Sequence, residues 1–180
     1  MRFTIVTRSS GEIIEQLNGL EVDAGLTYVD QETSGRLRAF PVYTERYCLV
    51  TSAASPLAGR KTVSWAEVGA LPLCLFQAYL QNRRILDRLL HPTAAQAIPC
   101  IVEADSTVTL LAHVQAGSIS TVVSEQVSNL LAGTKSLCSI PITGIEAGFT
   151  VGLVLPERQP MSPLLQSLIG IMETLRISSV

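Results

Sequence analysis

The chain has 180 residues and a formal net charge of −2, with 47% hydrophobic and 16% charged residues, which is enough apolar material for one ordinary core or two small lobes. No apolar run reaches the roughly 18 residues of a membrane span, and the start carries a single basic residue and then alternates, unlike a signal peptide. The 13 Lys and Arg residues are scattered along the sequence, so this segment is not expected to bind DNA by itself.

The first 28 residues predict a βαβ unit. Residues 3–7 alternate like a strand, and Ser9 and Glu12 have the spacing of a capping box that starts a helix. The helix is predicted to stop near Asn18 and Gly19, and residues 22–28 are predicted to form a mostly buried strand.

The next segment predicts extended chain over residues 37–51, a turn at 55–59 and a short helix that begins with a capping box at Ser64 and Glu67. Trp65 is interpreted as a packing residue, with a pocket-lining role as the alternative. A strand is predicted over residues 71–76 and a helix over 80–91, ended by Pro92. The charged residues of that helix are predicted to solvate its outer face; they are Arg83, Arg84, Asp87 and Arg88.

Residues 102–125 predict a second βαβ unit, in which Asp105 or Ser106 caps the helix and Gly117 ends it in the left-handed conformation. A helix at 124–131, strands at 137–142 and 149–155, and a final helix from Ser162 and Pro163 to Leu175 complete the chain.

This alternation predicts an α/β fold with mixed, mostly parallel sheets. The long extended runs at 47–51 and 151–155 predict two strands that cross between two lobes as a two-strand hinge. Lobe I then comprises residues 1–49 and 151–180, and lobe II comprises residues 50–150.

The four cysteines have no C-x-x-C spacing, and Cys48, Cys74 and Cys100 lie in apolar, strand-like runs. They are interpreted as core thiols in a reducing cytosol, with a disulfide framework or a metal site as the alternatives. No metal and no cofactor is expected.

Three runs carry a resemblance to a known family: LNGLEVDAGL at 17–26, SPLA at 55–58 and VQAGSISTVV at 114–123. In order and spacing they resemble the effector-binding domain of LysR-type transcriptional regulators over nearly the whole chain. The chain departs from the family pattern at Ser55, where a His is usual, at Ser118 and Ser120 in the glycine-rich run, and at Ser124, where a Pro is common.

The resemblance implies a two-lobed fold like that of type 2 periplasmic binding proteins. It also implies a cytoplasmic sensor, homodimeric or tetrameric, that binds a small-molecule effector between its lobes and controls a DNA-binding domain absent from this chain. Family members carry a strand and a helix before the strand that resembles residues 3–7, so we expect an N-terminally truncated domain whose first lobe is incomplete.

The family's ligand contacts come from loops at strand ends. Carried over, they are Thr7, Ser9, Thr27 and Tyr28 in the first lobe and Phe76, Gln77, Ser106, Thr107 and Ser124 in the second. For Ser9, Ser106 and Ser124 a helix cap is an equal alternative. The helix start near Ser106 suits a small anion such as a carboxylate, with Asp105 turned back to cap the helix.

Two other function classes remain. A free-standing solute-binding protein shares the implied fold, but no signal peptide for export is visible. An enzyme is disfavoured because His91 sits beside Pro92 at a predicted helix end and His113 lies mid-helix with no activating partner placed by the sequence. No G-x-S-x-G or H-E-x-x-H motif occurs.

Overall fold

A computed structural model describes residues 2–29, 36–90, 100–144, 149–157 and 160–177. In chain order its elements are α1 (Ser10–Asn18), β1 (Gly25–Tyr28), β2 (Leu37–Glu45), β3 (Tyr47–Ser52), β4 (Val63–Ser64), α2 (Trp65–Gly69), β5 (Leu73–Phe76), α3 (Gln81–Leu90), β6 (Cys100–Ala104), α4 (Thr107–Ala116), β7 (Thr121–Ser124), α5 (Glu125–Leu130), β8 (Leu137–Thr143), β9 (Phe149–Pro156) and α6 (Pro163–Ile177). They form two compact units: unit 1 is Met1–Glu45 with Gly148–Val180, and unit 2 is Arg46–Ala147. The predicted α/β class is confirmed.

Unit 1 is built around β9, which pairs antiparallel with both β1 and β2. Helix α6 packs its buried Leu165 against Leu153 and Leu155 of β9. The predicted capping box of α1 is present: Ser9 Oγ accepts from the Glu12 N–H at 3.4 Å, and the Glu12 carboxylate accepts from the Ser9 N–H at 2.8 Å. Local sequence therefore fixes where this helix begins.

The βαβ unit predicted for residues 3–28 is wrong. Residues 3–7 form no strand, and the side chains of Phe3 and Ile5 are 65% and 93% exposed. The second predicted strand is only Gly25–Tyr28, with Leu26 half exposed. Its partner is β9, from the far end of the chain, and not residues 3–7. Alternation gives a segment a preference for β structure, but a strand also needs a neighbour to pair with.

Unit 2 holds a four-stranded sheet in the order β4-β8-β3-β7 and a parallel pair of β5 and β6. A parallel bridge between Leu73 and Ser120 joins the two, and the Cys74 N–H donates to the Ser120 carbonyl at 2.8 Å. Strand β5 thus lies between β6 and the start of β7, with all three running the same way. The βαβ unit predicted for residues 102–125 is confirmed as β6–α4–β7.

The core of unit 2 surrounds β3, in which Leu49 and Val50 are fully buried. Helix α4 packs Leu110 against Val50 and Cys74. Trp65, at the start of α2, is buried, and its ring meets that of Tyr47 edge-on at 5.9 Å. This contact confirms Trp65 as a packing residue.

The sheets are mixed, as predicted, but they are not mostly parallel. Among the described residues, four of the six strand pairings are antiparallel. The parallel pair of β5 and β6 is joined through α3, whereas β4 and β8, like the antiparallel partners of β9 and β3, come from distant parts of the chain. Strand and helix alternation cannot report such long-range pairing.

The chain passes between the units twice, but not along the strands predicted to cross. Strand β3 lies wholly in unit 2, between β7 and β8, and β9 lies wholly in unit 1. The prediction that residues 47–51 and 151–155 cross is therefore wrong; the chain leaves unit 1 after Glu45, one residue before β3 begins. The lobe bounds at 1–49, 50–150 and 151–180 stay a prediction.

All four cysteines are free thiols: Cys48 and Cys74 are buried, and Cys100 and Cys138 are partly buried. The interpretation as core thiols is confirmed for Cys48 and Cys74. Across the described ranges, no group of His, Cys, Asp and Glu is arranged to hold a metal ion. No helix in the same ranges is long and apolar enough to cross a membrane.

Candidate functional site

The carboxyl ends of β5, β6 and β7 meet at one edge of the sheet in unit 2. Phe76 pairs with Ala104, and the Gln77 N–H donates to the Ala104 carbonyl at 3.1 Å. Strand β7 runs parallel on the other side of β5 and ends at Ser124. Five of the predicted ligand residues lie there, and we call them the strand-end edge: Phe76, Gln77, Ser106, Thr107 and Ser124. Such edges are where open α/β sheets place ligands.

Helix α4 starts at this edge without a side-chain cap. Ser106 occupies the N-cap position with extended backbone (φ −120°, ψ 126°), but its side chain makes no capping hydrogen bond. The prediction that Asp105 caps this helix is wrong, because Ser106 holds the N-cap position and Asp105 is exposed. Ser106 and Thr107 are half-buried. The first-turn N–H groups of α4 therefore have no side-chain acceptor within the part of the chain that the structure describes.

Two other helices, α1 and α5, begin with a serine whose side chain does cap the helix. Ser124 Oγ accepts from the Val127 N–H at 3.4 Å, as Ser9 Oγ does from Glu12 in unit 1. Capping, the alternative stated for these two serines, is confirmed. At the far end of α4, Gly117 has φ −136° and ψ −169°, so its predicted left-handed conformation is wrong.

Arg83 is buried, although its helical position predicted exposure to solvent. Its side chain is 9% exposed. Its Nη1 donates to the Phe76 carbonyl at 2.6 Å and to Glu103 Oε1 at 2.7 Å, and its Nε donates to Asp87 Oδ1 at 2.7 Å. One cation thus joins the end of β5, the strand β6 and the helix α3. Only Glu103, twenty residues later and on an adjoining strand, could have signalled this burial.

The charges around Arg83 favour its ionised form. Burial alone would lower the pKa of the guanidinium, but the hydrogen bonds that it donates to Asp87 and Glu103 outweigh burial and raise that pKa. Both carboxylates remain 40% or more exposed to solvent. The cluster is therefore a buried cation with two solvent-exposed acidic partners, bonded to the carbonyl of the residue that precedes Gln77.

The remaining four predicted residues belong to unit 1. Thr7 is exposed and Ser9 caps α1. Thr27, on β1, is 4% exposed, and its Oγ1 has no hydrogen-bond partner among the described atoms. The Tyr28 hydroxyl donates to Glu45 Oε2 at 2.6 Å. Thr27 and Tyr28 thus share a strand, whereas Thr7 and Ser9 precede α1.

His113, one of the two histidines, makes a hydrogen bond within its own helix. His113 is exposed on α4, and its Nδ1 lies 2.8 Å from the Thr109 carbonyl oxygen one turn earlier. Its interpretation as a satisfied helical histidine is confirmed. His91 lies outside the described residues.

Comparisons with known proteins give one matching family model and several similar solved structures. The sequence model described as LysR substrate binding domain matches residues 1–176. No curated protein matches the chain at a significant level. Among solved structures, a mutant of OxyR from Corynebacterium glutamicum is similar with a TM-score of 0.77 and 19% identity, over 93% of this chain and 53% of that one. This chain therefore spans about half the length of that OxyR.

Two shorter structures are also similar. The effector binding domain of QuiR in complex with shikimate gives a TM-score of 0.77 at 14% identity, over 95% of this chain and 79% of that one. The CcmR regulatory domain from Synechocystis PCC6803 in complex with 2-PG gives 0.76 at 13% identity, over 93% and 80%. At these identities the likeness shows the fold, that of type 2 periplasmic binding proteins.

Proposed function

Because this chain belongs to the LysR substrate binding domain family, we propose that it is the ligand-sensing regulatory domain of a LysR-type transcriptional regulator. It binds a small-metabolite effector in a cleft between its two lobes and controls a DNA-binding domain that is not part of these 180 residues. We further propose a cytoplasmic homodimer or tetramer that contacts DNA only through that other domain. No catalytic role is proposed.

The proposed location of the effector site rests on one observation: helix α4 begins at the strand-end edge without a side-chain cap. Its first-turn N–H groups point beyond the helix, beside the half-buried hydroxyls of Ser106 and Thr107. A ligand oxygen placed there accepts from both kinds of donor, and the positive end of the helix dipole favours a negative oxygen. Two family structures with bound shikimate and 2-PG support a small polar effector.

The proposal also concerns the charge of the effector. A carboxylate gains from the N–H groups of α4, but Asp105 is exposed beside them and, since it does not cap the helix, its charge opposes an anion. Arg83 does not offset this repulsion, because Asp87 and Glu103 already hold it. A carboxylate that also carries hydroxyl groups, such as shikimate, is therefore the first compound to test.

Titration calorimetry with a panel of metabolites, including shikimate and 2-PG, tests the site. Thr107→Val keeps the shape and removes one hydroxyl, so it should weaken binding of whichever compound binds by about 1 to 3 kcal/mol. Ser106→Ala tests the neighbouring hydroxyl. Thr109→Val is the matched control, since it makes the same change at an exposed position of the same helix. Unchanged affinity in both Thr107→Val and Ser106→Ala would falsify this placement.

A free-standing solute-binding protein of the same fold is the alternative. The mass of the native product and the sequence encoded upstream of Met1 separate the two, because a regulator requires a longer polypeptide. The DNA part of the proposal has its own test, a gel-shift assay with this chain alone. Salt-sensitive retardation at physiological ionic strength would count against it.

A further inference from the structure

Arg83, the third residue of α3, reaches back to the backbone at the end of β5, which belongs to the strand-end edge. Strand β5 ends at Phe76, and the Gln77 N–H that follows reaches across to the Ala104 carbonyl of β6 at 3.1 Å. Arg83 Nη1 holds the Phe76 carbonyl at 2.6 Å and Glu103 at 2.7 Å. The Nη1 atom of Arg83 therefore connects β5 to β6. Its contacts lie next to the hydrogen bond between the Gln77 N–H and the Ala104 carbonyl, which connects the same two strands through the backbone.

The contact at Asp87 fixes the plane of the guanidinium. Asp87 lies one helical turn after Arg83 and accepts from Nε at 2.7 Å, so the fork of N–H groups is held at both ends. A lysine ammonium is a point charge on a flexible stem and cannot reproduce this planar arrangement. The geometry requires arginine, not only a positive charge.

The rest of α3 does not depend on Arg83. Its buried side chains, Ile85, Leu86, Leu89 and Leu90, hold the helix in the core. Loss of Arg83 would leave the helix docked but would free the Phe76 carbonyl and leave two carboxylates without their shared cation. The effect should fall on the first turn of α3 and on the connection at residues 77–80.

We propose that Arg83 is a positioning residue of the effector site: it holds the connection between β5 and α3 against β6 and so sets the spacing between Gln77 and the start of α4. This inference rests on the proposed function only in taking the strand-end edge as the effector site. The test of this inference needs no effector. The role of Arg83 can therefore be refuted while the proposed function stands, and the proposed function can be refuted while the role of Arg83 stands.

Amide hydrogen exchange of the whole chain, resolved to single residues, is the measurement. In Arg83→Met, the amides of Gln77 and Leu80 should exchange about 10-fold faster or more. The amides of Leu49 and Val122, in the pairing of β3 with β7, should keep their rates. Arg83→Lys should restore protection only in part. Arg88→Met, an exposed arginine on the same helix, is the matched control and should change nothing.

Two results would overturn the proposal. Equal acceleration at Leu49 would mean that Arg83 only stabilises unit 2 as a whole, and no acceleration at Gln77 would mean that its contacts hold nothing in place. If Arg83→Met does not fold, Glu103→Gln takes its place, because that variant weakens the link to β6 but keeps the pair with Asp87. Faster exchange confined to Gln77 and Leu80 then supports the proposal, and wild-type exchange refutes it.

Discussion

Gly152 occupies the middle of the sheet in unit 1, where β9 pairs on both sides, opposite Thr27 of β1 and Pro41 of β2. A Cβ at this position would lie 2.7 Å from the Phe40 carbonyl oxygen and 2.8 Å from Val29 Cγ1. The valine can rotate, but the backbone carbonyl cannot, so Gly152→Ala must push β2 away from β9. Overpacking costs about 1–3 kcal/mol and weakened ladder hydrogen bonds add about 1 more, so we expect a loss of roughly 2–4 kcal/mol.

Urea unfolding followed by far-UV circular dichroism measures this loss. With a slope of about 2 kcal/mol per molar urea, the midpoint should fall by roughly 1–2 M. Gly11→Ala is the control in the same unit: nothing lies within 4 Å of a Cβ there, and the position is inside α1. Gly11→Ala should leave the free energy of unfolding at the wild-type value or raise it by up to about 1 kcal/mol. A Gly152→Ala midpoint equal to that of wild type would refute the reasoning from strand spacing.

Three further outcomes follow from buried or hydrogen-bonded side chains. Leu49→Ala in β3 removes a fully buried side chain and should cost about 2–5 kcal/mol, measured by the fluorescence of Trp65; an unshifted unfolding midpoint would contradict it. Burial raises the pKa of the Cys74 thiol, so iodoacetamide should label it only in the denatured chain, and fast labelling of the native chain, detected by mass, would be the contrary result. Hydrogen bonds from the Ser64 backbone and hydroxyl, with one from Arg60, lower the pKa of Glu67 to about 2. The stabilisation this gives α2 is complete above the unfolded value of 4.5 and is lost as pH falls through about 2; a carboxyl NMR titration midpoint near 4.5 would show that the cap is not formed.

Features encoded within four residues were predicted well. The capping boxes at Ser9 and Ser64 appear as their sequences indicate, because the side chain and the N–H groups that it satisfies are neighbours along one helix turn. The strand-end edge also follows from the sequence, since a parallel βαβ unit brings strand ends to the same side. Whether a given serine there caps its helix does not follow, as the difference between Ser106 and Ser124 shows.

Features that depend on distant partners were predicted poorly. Arg83 has the periodicity of a solvated position, yet it is buried because Glu103 and the end of β5 satisfy its charge. Residues 3–7 have the alternation of a strand but no strand to pair with among the described residues. In both cases the deciding interaction is tertiary, and a local pattern carries no information about it.

The pairing of β9 with β1 and β2 has a consequence for synthesis of the chain. Unit 2 is one continuous stretch, Arg46–Ala147, and all of its residues are synthesised before Phe149. Glu45 pairs with Phe149, so the sheet of unit 1 must wait for its middle strand while unit 2 already has every strand it needs. Co-translational folding therefore proceeds from the inserted unit outward. A chain that ends before Phe149 has every strand of unit 2 that the structure describes but leaves β1 and β2 unpaired, and chaperones or proteases can recognise those two strands.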